Sequence, residues 1–179
     1  QYISEGVVGR VEAESMLAGI MLDTRNYCMH TGVRTFEASA FLRRRGADPI
    51  AVKKLFADSI EHHKIKNSIV STAQQHKIYA IAVNDNNNLS DEESRIVSSQ
   101  AADELLNISG VKASFVLSRV GDAINISARS YGEVNVQLIM ERLGGGGHRT
   151  MSACQIEERN FAVAKQLLLE AISKNEEEN

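Results

Sequence analysis

The 179-residue chain has no tryptophan, one proline and two cysteines, and aromatic residues make up only 5% of it. Each shortage excludes something. Cys28 and Cys154 are only two thiols and lack CxxC spacing, so reduced structural cysteines of a cytosolic setting are expected rather than a disulfide. With few aromatics there is little material for a base-stacking nucleic-acid platform, and a net charge of −3 supplies no polybasic face for DNA, RNA or an anionic membrane. No apolar run approaches the span of a bilayer and no signal-peptide pattern is present, so the piece itself is expected to be soluble. Internal repeats, low-complexity blocks and glycine- or serine-rich linkers are also missing. The chain opens at Gln1 rather than at methionine, which suggests a piece of something longer.

What is present has ordinary globular composition, with 43% hydrophobic and 24% charged residues. Ala13, Met16, Leu17, Ile20 and Met21 fall at helical spacing, and the helix is expected to run out at Asp23, Thr24 and Asn26, which are loop formers. A second helix fits residues 35–45, closed by Gly46 at the position where a left-handed residue is wanted. A third opens with Pro49 in its first turn and is expected to continue through the sixties as an amphipathic connector. Beyond it, residues 77–83 form a short apolar run suited to a buried strand. Ser90 and Glu93 make a capping box for a helix with Ile96, Val97, Ala101, Leu105 and Ile108 on one side. Two strands flank Gly121–Asp122, a two-residue hairpin signal. Val136, Ile139, Met140 and Leu143 mark a core-facing helix, "TMSACQI" a further strand, and Phe161, Ala164, Leu168 and Ala171 a last helix ending in a frayed acidic tail. The order predicts an α/β or α+β sheet domain.

The stretch with most chemistry is "RLGGGGHRTMSA", from Arg142 to Ala153. One glycine is accounted for as the cap of the preceding helix, which covers Gly144 and extends at most to Gly145. Gly146 and Gly147 are left over. They follow a helix, so they are neither a Walker loop nor a dinucleotide fingerprint, where the glycines lie between a strand and the next helix. A bare backbone that lets another group approach, with N–H groups offered to an anion and His148 at its end, is the reading that remains. A second signal stands in "ISARS", where alternation puts Ser127 and Arg129 on one side of a strand. Arg129 offers a planar fork of donors suited to phosphate, and Ser130 adds a hydroxyl.

The segment "ISARSYGEVNVQLIMERLGGGGHRTMSA" closely resembles the DHH-associated subdomain of the DHH phosphoesterase superfamily, in which a GGGH loop and an Arg-Ser strand end hold the substrate. Upstream, "LAGIMLDTRNYCMHTGVRTFEASAFLRRRGADP" is similar to the end of the catalytic DHH subdomain, and its "DTRNY…TGVRTFEA" block to the GdpP-like branch of cyclic-di-AMP phosphodiesterases. The resemblance implies an α/β fold in three parts: the end of the DHH subdomain at 1–49, a helical connector at 50–73 and the DHH-associated subdomain at 74–179. It implies Asp23 as a metal-ligand aspartate with a catalytic part, His148 as catalytic and substrate-binding, and Gly145, Gly146, Gly147, Arg129 and Ser130 as substrate-binding. Asn135 either faces the substrate or caps a helix.

The chemistry so implied is hydrolysis of cyclic di-AMP to linear pApA with two Mn²⁺ or Mg²⁺ ions. The implied partners are a cyclic dinucleotide or other short nucleotide, not a long nucleic acid, and a second copy of the chain in a homodimer. The implied parent is membrane-anchored, with this module at the cytoplasmic face. The earlier histidine, aspartate and Asp-His-His motifs of the superfamily are not in this sequence, so the piece alone is expected to bind metal weakly and to hydrolyse little. His62 and His63 follow a glutamate in a polar helical stretch and read as a solvated face; His30 and His76 read as surface or loop histidines, and residues 43–45 as an exposed helix end complementing its dipole. Two other readings stand beside this one: an oligoribonuclease of the nanoRNase type, and a noncatalytic nucleic-acid-binding module such as alanyl-tRNA synthetases carry.

Overall fold

The computed structural model describes residues 8–178, which divide into two compact units, the second beginning at Ile60. In the first unit α1 spans Arg10–Asp23, α2 Val33–Arg44 and α3 Pro49–Leu55. Ala13, Leu17, Leu42, Ala47 and Val52 form its buried core, while Met16, expected inside, is exposed. The predicted end of α2 holds: Gly46 has φ +96°, its N–H donates to the Arg43 carbonyl, and Ala47 N–H reaches back to Leu42. That is the two-bond close of a Schellman turn. Arg43 and Arg44 lie exposed in its last turn.

Two expectations fail in this unit. Asp23 is the last residue of α1 and not part of a loop, because Thr24 continues the turn by donating its hydroxyl to the Ile20 carbonyl at 2.6 Å. The loop formers begin one residue later. Arg25, Asn26 and Tyr27 all have positive φ, a conformation costing a non-glycine residue about 1–2 kcal/mol. Thr24 holds this run in place: Tyr27 N–H donates to its hydroxyl and Met29 N–H to its carbonyl, and Tyr27 stacks on Phe36 with centroids 5.3 Å apart. The connector helix also breaks. α3 stops at Leu55, and α4, Ile60–Ser71, starts afresh. Asp58 and Ser59 are residues that compete with the backbone for hydrogen bonds and so favour helix ends over helix interiors.

The second unit opens with α4 and continues as β1 (Gln74–His76), β2 (Tyr79–Asn84), α5 (Asp91–Leu105), β3 (Ala113–Val120), β4 (Ala123–Ser130), α6 (Val136–Glu141), β5 (Gly146–His148), β6 (Met151–Ile156) and α7 (Phe161–Glu177). The six strands form one mixed sheet in the order β1-β2-β3-β4-β6-β5, with β2 and β3 parallel and every other pair antiparallel. The predicted α/β architecture is therefore present, with β1 and β5 as additional three-residue strands. His76, expected on a surface or loop, sits half-buried in β1, whereas His62 and His63 lie on α4, His63 exposed and His62 half-buried. The acidic tail does not fray where it was expected to: α7 runs to Glu177 and buries Asn175.

Pleat alternation sends Phe115, Leu117, Ile124, Ile126 and Ala128 to one face, where α6 and α7 cover them with Ile139, Met140, Ala164 and Leu168. Ala80, Ala82 and Val116 face α4 and α5 on the other side, against Ile69, Val97, Ala101, Ala102 and Leu105. Ile96 and Ile108, assigned to the buried side of α5, are 48% and 40% exposed; the inward positions are instead taken by Ser94 and Ser98, which meet Asn84. The capping box forms as read: Ser90 accepts from Glu93 N–H, and the Glu93 carboxylate accepts from the Ser90 hydroxyl at 2.7 Å and from Ser90 N–H at 3.0 Å, bonds that hold that carboxyl below its usual range. Ser90→Ala is expected to cost about 1 kcal/mol, read as a lower urea midpoint at unchanged slope.

Candidate functional site

The register of the sheet assembles the site. Ser114 on β3 lies opposite Arg129 on β4, Arg129 opposite Met151 on β6, and Met151 opposite His148 on β5. Directly paired residues share a face, so Arg129 and Met151 project on the α5 side, and His148 ends the same row at the sheet edge. At ~4.8 Å per strand, Arg129 and His148 stand ~10 Å apart with one strand between them. The next row on that face is Ser127, Ala153 and Gly146, all small.

This face is covered over β2, β3 and β4 but open over β6. Along β6 exposure alternates, with Met151, Ala153 and Gln155 exposed and Ser152 and Cys154 buried. Arg95 of α5 reaches across, its Nη2 donating to Gln155 Oε1 at 3.3 Å. The result is a row of small side chains, Ser127, Ala153 and Gly146, lying beside the row Arg129, Met151 and His148. Burial on the opposite face pushes the Cys154 thiol up to about 12, and both cysteines are free, so Cys154 serves as a packing residue.

Arg129 is nearly buried, its side chain 12% exposed. Its Nη1 donates to the Ala128 carbonyl at 3.0 Å, and its Nε lies 3.4 Å from Oδ1 of Asp103 on α5. Nothing in sequence spacing points to Asp103; only the packing of α5 on the sheet brings it there. Ser130 has no part in the exposed row. One residue on from Arg129, it falls on the other face and is wholly buried, donating to the Val134 carbonyl at 2.7 Å and accepting from Gly132 N–H. Asn135, for which two roles stood open, accepts from Gln137 N–H as the N-cap of α6.

The four glycines divide by task. Gly144 (φ +78°) closes α6 as expected, its N–H donating to Glu141 and that of Gly145 to Met140. Those two N–H groups are therefore taken. A Cβ on Gly145 would stand 2.2 Å from the Ala153 carbonyl oxygen, and one on Gly147 2.6 Å from the Met151 carbonyl oxygen, so both are bare because the chain itself passes too close. Gly146 differs: a Cβ there meets nothing within 4 Å and its φ is not positive. It is the glycine of the run that neither turn geometry nor packing requires.

Asp23 lies in the first unit, exposed at the end of α1. Among the described residues no three His, Cys, Asp or Glu side chains come together as metal ligands. A binuclear centre needs more donors than one carboxylate provides, so the residues here do not by themselves fit two ions. Among the described residues no helix is long and apolar enough to cross a membrane.

Comparison with known proteins agrees with this architecture. Over 165 residues the chain is 46% identical to the cyclic-di-AMP phosphodiesterase GdpP of Geobacillus thermodenitrificans, covering 90% of this chain and 24% of that protein. It is 41% identical over 167 residues to the cyclic-di-AMP phosphodiesterase PdeA of Listeria monocytogenes, covering 92% and 25%. The chain thus spans about a quarter of the length of these curated relatives. Among solved structures, an exopolyphosphatase-related protein from Bacteroides fragilis superposes with a TM-score of 0.79 at 22% identity, covering 93% of this chain and 51% of that one, which shows a shared fold. The DHHA1 domain family matches residues 76–174, more than half of the chain and nearly all of the sheet unit, and the chain belongs to that family.

Proposed function

We propose that this chain is the substrate-holding part of a metal-dependent phosphodiesterase that opens cyclic di-AMP to linear pApA, in a parent held at the cytoplasmic face of the membrane. The observation that carries the reading is the row from Arg129, at the covered edge over β4, to His148 at the exposed edge of the sheet, in a chain whose relatives are named for that reaction. Arg129 presents a planar fork to a phosphate, and His148, exposed at the sheet edge, donates to another of its oxygens. Met151 stands between them, and Gly146 and Ala153 keep the neighbouring row low enough for the diester to settle beside it. Ser130 and Gly145 shape this surface from beneath. Asp23 is proposed as one carboxylate ligand of a pair of Mn²⁺ or Mg²⁺ ions, the others coming from outside this chain. When bound, such ions supply an activated water and stabilise the leaving oxygen; what this chain's own residues do is hold and orient the phosphate and offset the charge it gains.

The test is steady-state hydrolysis of cyclic di-AMP by the intact protein that carries this segment. Arg129→Ala is expected to raise KM about tenfold, the loss of one charge-assisted hydrogen bond. His148→Ala, at an exposed edge, is expected to raise it about threefold. A wild-type KM in Arg129→Ala would reject the site. Faster turnover of linear than of cyclic dinucleotide would move the reading to the oligoribonuclease alternative.

A further inference from the structure

A guanidinium that is to receive a phosphate has to be aimed, and Arg129 lies nearly buried between its own strand and α5. Two groups hold it. The Ala128 carbonyl accepts from Nη1, fixing one arm of the fork to its own strand. The other is the Asp103 carboxylate, 3.4 Å from Nε, with Arg129 12% and Asp103 43% exposed. An ion pair half open to water adds little to stability. Its effect on geometry is larger, because α5 is fastened to the sheet beside it. Ser114, the β3 neighbour of Arg129 in the row, donates its buried hydroxyl to the Ala102 carbonyl at 2.6 Å, one residue before Asp103. Ala101 and Ala102, both wholly buried, let the helix lie close at that point. Further along, the Tyr131 hydroxyl meets Asn107 Oδ1 at 3.4 Å, tying the loop after α5 to the residue that follows β4. The carboxylate therefore stands on a rigid support with fixed height over the strand.

We infer that Asp103 is a positioning residue: it sets the direction in which Arg129 presents its fork to the substrate phosphate and touches no substrate itself. The inference rests on the reading of Arg129 as the phosphate contact. It makes Asp103→Ala a binding defect at a residue outside the row, and makes the two residues act as one unit.

The experiment is a double-mutant cycle in the intact protein, with cyclic di-AMP as substrate and KM and kcat read separately. Asp103→Ala is expected to raise KM about fivefold with kcat within about twofold, since a misdirected contact weakens binding. Asp103→Asn, which keeps an oxygen of the same size 3.4 Å from Nε without the charge, is expected to stay within about twofold of wild-type KM, a rescue that a purely charge-based role would not give. The Asp103→Ala, Arg129→Ala double variant is expected to match Arg129→Ala alone, because nothing is left to aim. Should Asp103→Ala fail to fold, Asp103→Gln, which shifts the acceptor by one methylene, carries the same expectation as the alanine. A wild-type KM in Asp103→Ala or Asp103→Gln beside a raised KM in Arg129→Ala overturns the inference and leaves the site standing. So does a double variant whose KM is the product of the two single effects. A wild-type KM in Arg129→Ala removes the site and the inference together.

Discussion

Gly145→Ala is expected to lower the thermal midpoint by roughly 6–12 °C, whereas Gly146→Ala, one residue on, is expected to melt within about 2 °C of wild type. The contrast follows from what each new methyl would meet. At Gly145 it would stand 2.2 Å from the Ala153 carbonyl oxygen, 2.4 Å from Cys154 Cβ and 2.6 Å from Cys154 Cα. Two of the three are backbone, and β6 is pinned between β4 and β5, with Cys154 opposite Ile126 in the core. Neither strand can retreat without opening the sheet, and overpacking of this kind costs on the order of 3 kcal/mol, which at about 2–4 °C per kcal/mol for a chain of this length gives the shift stated. Gly146 has open space where its side chain would be. A bulky residue there, Gly146→Leu, is expected to fold normally and to raise KM, since it would stand in the row of small side chains beside Ala153. Equal melting losses at both positions would mean that the whole run serves packing, leaving no bare backbone for a ligand. Circular dichroism melts of the three variants decide it.

Much of this architecture could be read before any coordinates were known, and the reason lies in local physics. The Ser90–Glu93 box, the Gly46 close of α2, the turn at Gly121–Asp122 and the apolar stripes of α6 and α7 each depend on residues within one or two turns of each other. What could not be read depends on the sheet as a whole. β1 and β5 have three residues each and no apolar alternation; they are strands because longer neighbours supply the ladder. The inward serines of α5 displaced the isoleucines expected there because Asn84 on β2 needed partners. At the site, Arg129 and His148 were legible as chemistry, but their common row is a matter of register across β6. Asp103 carried no signal at all. The four glycines looked alike in sequence, and only the distance to β6 separates the two that packing demands from the one it does not.

Ser130 decides whether the Arg-Ser strand end is a pair of contacts or a contact and its support. Ser130→Ala is expected to lose about 2 kcal/mol of stability, read from urea unfolding, and to raise KM as well. Its hydroxyl donates to the Val134 carbonyl, lies 3.4 Å from the Arg149 carbonyl and accepts from Gly132 N–H. Alanine would strand a buried carbonyl and an N–H, and leaving such groups unmet costs more than the bond itself yields. The effect should travel to His148, because the turn that follows it is fastened at the same point: Ser130 N–H donates to Thr150, Val136 N–H to Arg149, and Arg149 Nε to the Gly132 carbonyl. Tyr131→Phe is the control; its hydroxyl is exposed with one long bond to Asn107, so a change below about 0.5 kcal/mol is expected. A hydroxyl that touched substrate directly would behave in the opposite way, raising KM with no loss of stability. That outcome would require Ser130 to leave the buried side of the strand, at the expense of both bonds it makes there.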